Sequence, residues 1–319
     1  MGQILDFFGS ILNGEETKEP VFYKDDSDAE KQLSILQSLK MSAPEYLLDE
    51  INQEIKVLET GIYGENQVKF ELQNSHIPMF VLHDVFLEYN GLSAQIDYII
   101  ITHKHIFVLE CKNLYGNIEI TNNGDFIRTF SYGKYYKKEG IYSPITQNKR
   151  HLDILYQIRK DQQGVLSGMF FEKNFYKTYY PIVVLSNPKT FLNAKYAKKE
   201  IRQQVIRADQ LVQFIKNKND NSDVSYLSFS EMKSLAEFFV SCSRENPVNY
   251  AENFKAKIRK KQEEISQKQQ PPEPQEKTML CPKCGAKMIK RVAQKGSLAG
   301  NEFYGCSNYP NCKCIINIQ

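Results

Sequence analysis

The stretch Gln95-Ile96-Asp97-Tyr98-Ile99-Ile100-Ile101, followed by Ile106-Phe107-Val108-Leu109-Glu110-Cys111-Lys112, decides how this chain is read. Both segments are short, rich in Ile, Val, Leu and Phe, and separated by turn residues, which predicts neighbouring strands. Side chains alternate along a strand, so Glu110 and Lys112 project to one side and Cys111 to the other. A charge at Asp97 inside so apolar a run is costly unless it is paired or binds a metal. Two adjacent strands therefore bring Asp97, Glu110 and Lys112 to one end of a sheet. Glu-x-Lys occurs four times in the chain, at Glu16, Glu54, Glu110 and Glu231, so it is the strand context that singles out Glu110.

Upstream, residues 27–60 read as helical, with Leu33, Leu36 and Leu39 and then Leu47, Leu48, Ile51, Ile55 and Leu58 at helical spacing. Gly61 and Gly64 are expected to interrupt that helix before a further one from Glu65 to Leu72. Val81 to Leu87 is a strand, with Asn90-Gly91 as the turn into the next. Downstream, Asn117 to Ile120, Phe126 to Phe130 and the Tyr-rich Tyr132 to Lys138 continue the strands, with Asn123-Gly124 a hairpin turn. Ser143-Pro144 opens a helix, Ser as the cap and Pro in the first turn. Tyr179 to Leu185 and Val205-Ile206 read as strands, and Leu211 to Ile215 and Met232 to Val240 as helices. This order predicts a mixed α/β fold with one central sheet flanked by helices.

From about residue 251 the composition changes. Lys255 to Gln270 is a charged helix that runs into Pro271-Pro272-Glu273-Pro274, a stiff linker. The expected organisation is a helical region at 1–60, a core at 61–190, an α/β extension at 191–250, a charged helix and linker at 251–277, and a cysteine module at 278–319.

The chain has 319 residues, 41% of them apolar, with 19 Phe and 19 Tyr, enough to build a core and too many for a disordered chain. No apolar run approaches the ~20 residues of a membrane span. Met1 to Leu12 has no basic segment before it and contains Asp6, so it does not read as a secretory signal. It reads instead as a small amphipathic helix that docks on the protein, a membrane surface being the other reading. Asp6 and Phe7 stand where a myristoylation motif needs Ser or Thr, and no Gly-x-x-x-x-Gly-Lys phosphate loop is present. Residues from 251 onward carry 13 Lys and Arg against 6 acids, while the preceding 250 carry 28 against 32. A basic tail on a mildly acidic body points to a polyanionic partner.

Five of the seven cysteines lie between Cys281 and Cys314, a distribution that fits a local metal site in a reducing, cytoplasmic setting better than a disulfide framework. Cys281-Pro-Lys-Cys284-Gly supplies two thiolates on a knuckle, and Cys306 and Cys312 a second pair, closing a tetrahedral sulfur site of the kind that holds structural Zn²⁺. Cys314 as a substitute for Cys312 stays open on spacing alone. About 40 residues cannot bury a core, so zinc would supply the folding energy. With Gly305-Cys306-Ser307-Asn308-Tyr309-Pro310-Asn311-Cys312, the module resembles the C4 zinc finger at the C-terminus of bacterial type I topoisomerases. That resemblance implies Cys281, Cys284, Cys306 and Cys312 as ligands and DNA, particularly single strands, as the partner. Lys283, Lys287, Lys290, Arg291 and Lys295 offer phosphate contacts, and Tyr304, Tyr309 and Phe303 offer rings for bases, packing around the zinc being the competing role for the aromatics.

Asp97, Glu110 and Lys112 suit metal-assisted phosphodiester hydrolysis. Two carboxylates can hold Mg²⁺ or Mn²⁺, and a lysine can orient water or stabilise developing charge. Glu65 could complete the metal site and Gln147 position substrate or water. The competing reading is a structural Asp97–Lys112 ion pair with Glu110 solvated at the strand end. His151 shares a helix face with Gln147 but reads as a surface or partly buried histidine. His103 and His105 read as loop residues beside a turn, and Cys111 as a core residue rather than a nucleophile.

Gly64-Glu65, Val81-Leu82-His83-Asp84-Val85, Gln95 to Ile99, Val108 to Asn113, Tyr115-Gly116-Asn117-Ile118 and Ser143 to Asn148 together resemble the nuclease-related domain, NERD, over roughly residues 60–155. Tyr98 stands where many members have His. The resemblance implies membership of the PD-(D/E)xK nuclease superfamily, a restriction-endonuclease-like core, and active-site roles for Glu65, Asp97, Glu110, Lys112 and Gln147. The expectation is a Mg²⁺- or Mn²⁺-dependent DNA nuclease in DNA processing or repair, acting on single- or double-stranded DNA, alone or with protein partners. Its alternative is a non-catalytic DNA-binding scaffold that keeps the fold.

Overall fold

The computed structural model describes residues 17–162, 168–269 and 278–318. They group into two compact units, divided between Lys255 and Ala256. Met1 to Leu12 and the Pro271–Pro274 segment lie outside the described residues.

The first unit begins with β1 (Pro20–Lys24), α1 (Asp28–Lys40) and α2 (Glu45–Gln73). An antiparallel run follows: β2 (Met79–Tyr89), β3 (Leu92–Ile101) and β4 (Ile106–Lys112). A second set, β5 (Asn117–Ile120), β6 (Phe126–Tyr132) and β7 (Tyr135–Ile141), leads into α3 (Pro144–Asp161). Then come α4 (Gly168–Thr178), β8 (Tyr179–Leu185), β9 (Phe191–Asn193), the single turn α5 (Lys199–Arg202), β10 (Val205–Arg207), α6 (Leu211–Asp220) and α7 (Phe229–Cys242), and the division between the units falls within α8 (Tyr250–Gln269).

Six strands form the central sheet in the order β1-β2-β3-β4-β8-β10. β1 runs parallel to β2, and β8 and β10 run parallel to β4, so the sheet is mixed. Helices cover both faces. Leu152 and Leu155 of α3, Phe175 of α4 and Met232 and Phe239 of α7 pack on one face with Phe80, Leu82, Ile99 and Val108. Val68 and Leu72 of α2 and Leu211 and Ile215 of α6 pack on the other with Val81, Tyr98, Phe107 and Leu109.

Three features differ from the sequence reading. The helix expected to break at Gly61 and Gly64 is continuous from Glu45 to Gln73. Glycine costs a helix interior only about 1 kcal/mol, and the burial of Leu58, Val68 and Leu72 outweighs that. A second sheet, β7-β6-β5-β9, stands beside the central one. Its Ile118, Ile120 and Phe126 pack against Val183, Leu185 and Val205. β1, which begins with Pro, joins the sheet at its edge, where a missing N–H is tolerated.

The hydrophobic alternation changes phase in the middle of the β2–β3 pair. Phe80, Leu82, Val85 and Leu87 all join one core cluster, as do their partners Ile101, Ile99, Ile96 and Ala94. The switch falls at Asp84, which has φ +54°, beside Asp97 on the facing strand. Asp and Asn tolerate this left-handed region better than most residues. Asp84 is held there by both carboxylate oxygens: Oδ2 accepts the Asp28 N–H at 2.6 Å and Oδ1 accepts from Gln95 Nε2 at 2.9 Å. Asn246 donates from Nδ2 to Gln95 Oε1 at 2.9 Å, and the Arg244 N–H bonds the Phe86 carbonyl at 2.8 Å. Residues far apart in sequence are thereby clasped at one edge.

The second unit contains a three-stranded antiparallel sheet of β11 (Met288–Val292), β12 (Glu302–Cys306) and β13 (Ile315–Asn317).

Candidate functional site

The β3–β4 ladder ends at the Tyr98–Leu109 pair. Beyond it the Asp97 carboxylate takes over, Oδ2 accepting the Cys111 N–H at 2.5 Å. Glu110 points to the α3 face and is 1% exposed. Its Oε1 lies 2.6 Å from Lys112 Nζ and its Oε2 lies 3.4 Å from Nδ1 of His151. Neither Glu110 Oε2 nor His151 Nδ1 has a hydrogen-bond partner among the described residues. The competing reading is corrected in its geometry: the ion pair of Lys112 is with Glu110 rather than Asp97, and Glu110 is buried rather than solvated.

Glu65 arrives from α2, over the opposite face. Its Oε2 meets His83 Nε2 at 2.8 Å, and its backbone carbonyl accepts from the Tyr98 hydroxyl at 3.2 Å. His83 is stacked on Tyr98 with ring centroids 4.6 Å apart. This approach requires Gly64. A Cβ there would lie 2.6 Å from Ser186 Oγ and 2.7 Å from Asn113 Cβ, at the ends of β8 and β4. Asn113 also donates to the Thr60 carbonyl at 2.7 Å, pinning the helix to the strand end. Gln147 lies one turn before His151 on α3 and is half-buried. Ser143 caps that helix through Thr146 and Pro144 opens it.

The charges in this corner oppose one another. Asp97 is raised well above the usual carboxylate range by burial of its carboxyl, then by the charges of Glu110 and Glu65. Glu110 is raised by burial, with Lys112 pulling it down and Glu65 pushing it up. At Lys112 burial works against the charge, but Glu110 and Asp97 outweigh it and hold the pKa above its ordinary value. His151 is lowered to about 4 by burial and by Lys112, so it is neutral at pH 7. Cys111 is raised by burial and by Asp97, which keeps it a thiol rather than a nucleophile. Elsewhere, His103 Nδ1 donates to the Leu227 carbonyl at 2.7 Å beside the β3–β4 turn, and His105 is buried there.

Hard oxygen donors that repel one another in a buried corner fit a divalent cation. The carboxylates are not gathered into a closed cage, however. Among the described residues, one set of three or more His, Cys, Asp or Glu side chains has its ligand atoms within 4.8 Å of one another, and it is in the other unit.

That set is Cys281, Cys284, Cys306 and Cys312. Cys281 Sγ lies 3.7 Å from Cys312 Sγ, and Cys284 Sγ 3.4 Å from Cys306 Sγ. Zn–S bonds of about 2.3 Å in a tetrahedron give sulfur–sulfur edges of about 3.8 Å, so the four thiols fit zinc closely. Gly285, at φ +74°, turns the knuckle and donates to the Cys281 carbonyl at 2.9 Å. Cys314 stands outside the quartet, and its backbone carbonyl accepts the Cys306 N–H at 3.1 Å. The alternative at Cys312 is thereby resolved in favour of Cys312. Lys283, Lys287, Arg291 and Lys295 are exposed, and Tyr309 is 63% exposed. Lys290 is paired with Glu302 at 2.6 Å, and Tyr304 packs against the cysteine cluster. Tyr304 is therefore less available to DNA than its sequence suggested, while Lys290 stays exposed.

Residues 60–186 match the family model of the nuclease-related domain, and residues 278–319 that of the topoisomerase DNA-binding C4 zinc finger. The chain thus carries a nuclease-related domain in a mixed α/β fold and a topoisomerase-type zinc ribbon. DNA topoisomerase 1 of Methanocaldococcus jannaschii is 51% identical over 41 residues, which is 13% of this chain and 5% of that protein's length. No solved structure matches the chain. No helix among the described residues is long and apolar enough to cross a membrane.

Sequence reasoning passed over His83, and His151, expected at the surface or partly buried, is buried against Glu110. His83 lies within Val81-Leu82-His83-Asp84-Val85, but nothing in its spacing ties it to Glu65, which reaches it from a helix on the other side of a turn.

Proposed function

We propose that the protein is a metal-dependent nuclease that hydrolyses phosphodiester bonds in DNA, with the zinc ribbon holding the polymer near the cleaving site. The observation that carries this reading is Glu110, a buried carboxylate with Lys112 on one oxygen and no hydrogen-bond partner for the other, set beside Asp97. Burying opposed, ionised carboxylates costs a fold stability unless something matches their charge. Strongly perturbed, mutually repelling groups at one point mark functional sites.

Asp97 and Glu110 would hold Mg²⁺ or Mn²⁺, which when bound polarises a phosphate oxygen and makes water a better nucleophile. Lys112 carries its charge beside Glu110 and stabilises negative charge that develops on the phosphate. Glu65, oriented by His83, adds a third carboxylate on the opposite face. Gln147 is assigned to position substrate or water from α3. The ribbon contributes affinity through its exposed Lys and Arg, and its tether raises the local concentration of DNA. A role in DNA processing or repair suits this pairing of a cleaving body with a strand-gripping module. A reducing cytoplasm suits the four thiolates.

Labelled single- and double-stranded DNA incubated with the protein and Mg²⁺ or Mn²⁺ tests the reading. Cutting is expected in the wild type and lost in Lys112→Ala, with DNA binding retained. Lys112→Ala leaves Glu110 without its cation, so Glu110→Gln is run alongside, with thermal melts as the folding control. Undiminished cutting in both variants overturns the assignment, and binding without cutting in the wild type favours a scaffold.

A further inference from the structure

The β6–β7 hairpin has a composition unlike the rest of the body. Residues 126–141 contain Arg128, Lys134, Lys137 and Lys138 against Glu139, a net charge of +3, within a first 250 residues that carry 28 basic and 32 acidic side chains. Five of these sixteen residues are Phe or Tyr.

The register shows how those side chains are arranged. Phe126 pairs with Ile141, and this end of the inner face is buried against β8. Further along, the same face continues through Arg128 opposite Glu139 and Phe130 opposite Lys137 to Tyr135. Here the sheet overhangs its core, for Tyr135 is 57% exposed and Phe130 only half-buried. The Phe130 and Tyr135 rings are 6.1 Å apart. The Arg128 guanidinium lies 5.3 Å and the Lys137 ammonium 6.0 Å from the Phe130 ring centre. Arg128 and Lys137 share Glu139, so two cations meet one carboxylate.

Both ends of the hairpin lead to the carboxylate corner. β5 begins shortly after Lys112, and the intervening Gly116, at φ +107°, lies against Phe130: a Cβ there would be 3.0 Å from Phe130 Cβ. Four residues of chain reach at most about 14 Å, which bounds the distance from Lys112 to Gly116. On the other side, β7 is followed at once by α3, whose His151 touches Glu110.

We propose that Phe130 and Tyr135, flanked by Arg128 and Lys137 with Lys134 at the turn, form a stacking platform for single-stranded DNA beside the carboxylate site. The exposed ring of Tyr135, backed by half-buried Phe130, provides a π-face for a base and the surrounding cations take the phosphates, the combination by which proteins hold single strands without reading sequence. The proposal deepens the nuclease reading and rests on it for what happens to the strand, but the binding itself is independent of cleavage. It makes the strand form a property of the body as well as of the ribbon.

The test uses the full zinc-loaded chain without added Mg²⁺ or Mn²⁺, and a short oligo(dT) carrying 5-iodouracil for photocrosslinking and peptide mapping. Adducts are expected on hairpin peptides as well as on the ribbon. Tyr135→Ala should weaken the hairpin's hold on the oligonucleotide by about 5- to 150-fold, the range for loss of one stacked base. Tyr136→Ala, on the opposite face of the same strand and 66% exposed, should not. Adducts confined to the ribbon, or equal effects of the two tyrosine substitutions, overturn the proposal. Hairpin adducts in a protein that cuts no DNA with either metal would instead overturn the nuclease reading and leave the platform standing.

Discussion

Gly61 and Gly64 occupy one helix three residues apart, yet alanine should stabilise the body at the first and not at the second. Helix propensity alone favours Ala over Gly by about 1 kcal/mol at either position. At Gly61 nothing lies within 4 Å of the added Cβ, so Gly61→Ala should stabilise the body by about 0.5–1 kcal/mol. At Gly64 the new carbon would sit 2.6 Å from Ser186 Oγ and 2.7 Å from Asn113 Cβ. Neither neighbour can yield easily, since Ser186 is 2% exposed and Asn113 is bonded to Thr60. Overpacking of this kind costs about 1–3 kcal/mol, which cancels or exceeds the propensity gain. The two variants should therefore differ by about 1–3 kcal/mol. Urea denaturation followed by circular dichroism, with unchanged m-values, measures the gap. Equal stabilisation by both substitutions would refute the close approach of α2 to the strand ends, and with it the placement of Glu65.

Other expectations follow from the same geometry. His151 is neutral in the fold and lowered to about 4, against 6.5 when unperturbed. Its contribution is therefore present above pH 6.5 and lost as pH falls towards 4. His151→Gln should flatten that part of the stability profile, by up to about 3 kcal/mol. Asp97 and Glu110 are raised, so their effect has the opposite sign: stability they lend at low pH declines as pH rises from the ordinary carboxylate range through their folded values. Added Mg²⁺ or Mn²⁺ should offset this, seen as a melting temperature that responds to the cation more at pH 8 than at pH 5. In the ribbon, Cys312→Ser should release zinc in a chromogenic chelator assay, whereas Cys314→Ser should retain it. At Asp84, glycine relieves the positive φ and alanine does not, while both lose the carboxylate bonds. Asp84→Ala should therefore be less stable than Asp84→Gly by about 1–2 kcal/mol in thermal or urea unfolding.

Much of the architecture was legible because its signals are local. Asn90-Gly91 separates two runs of alternating or continuous apolar residues, and Ser143-Pro144 marks a helix start by chemistry contained in two residues. The zinc ligands were legible for the same reason, each pair being close in sequence. The helix break at Gly61 and Gly64 was misjudged because propensity is weak against burial, and Gly64 serves a contact with β4 and β8 that no local pattern reveals. Asp97, Glu110 and Lys112 could be brought together from strand alternation. The burial of Glu110 could not, because it depends on α3 packing His151 over that end of β4. His83 and Glu65 meet from different elements, and only the packed fold shows that they do. The second sheet was hidden because β9 is three residues long and pairs in parallel with β5, far upstream.

The clasp at Asp84 has a consequence for the order in which the chain can acquire its structure. It draws together the amide of Asp28, the side chain of Gln95 and, through that side chain, Asn246. The β2–β3 hairpin can form as soon as its own residues emerge from the ribosome, but this edge of the sheet cannot close until residues beyond 240 have followed. Closing so long a loop makes the contact entropically late. Until then the edge of β2 around Asp84 is open to other partners, so the nascent body passes through a stage in which an unpaired strand edge awaits the last segment of its own domain.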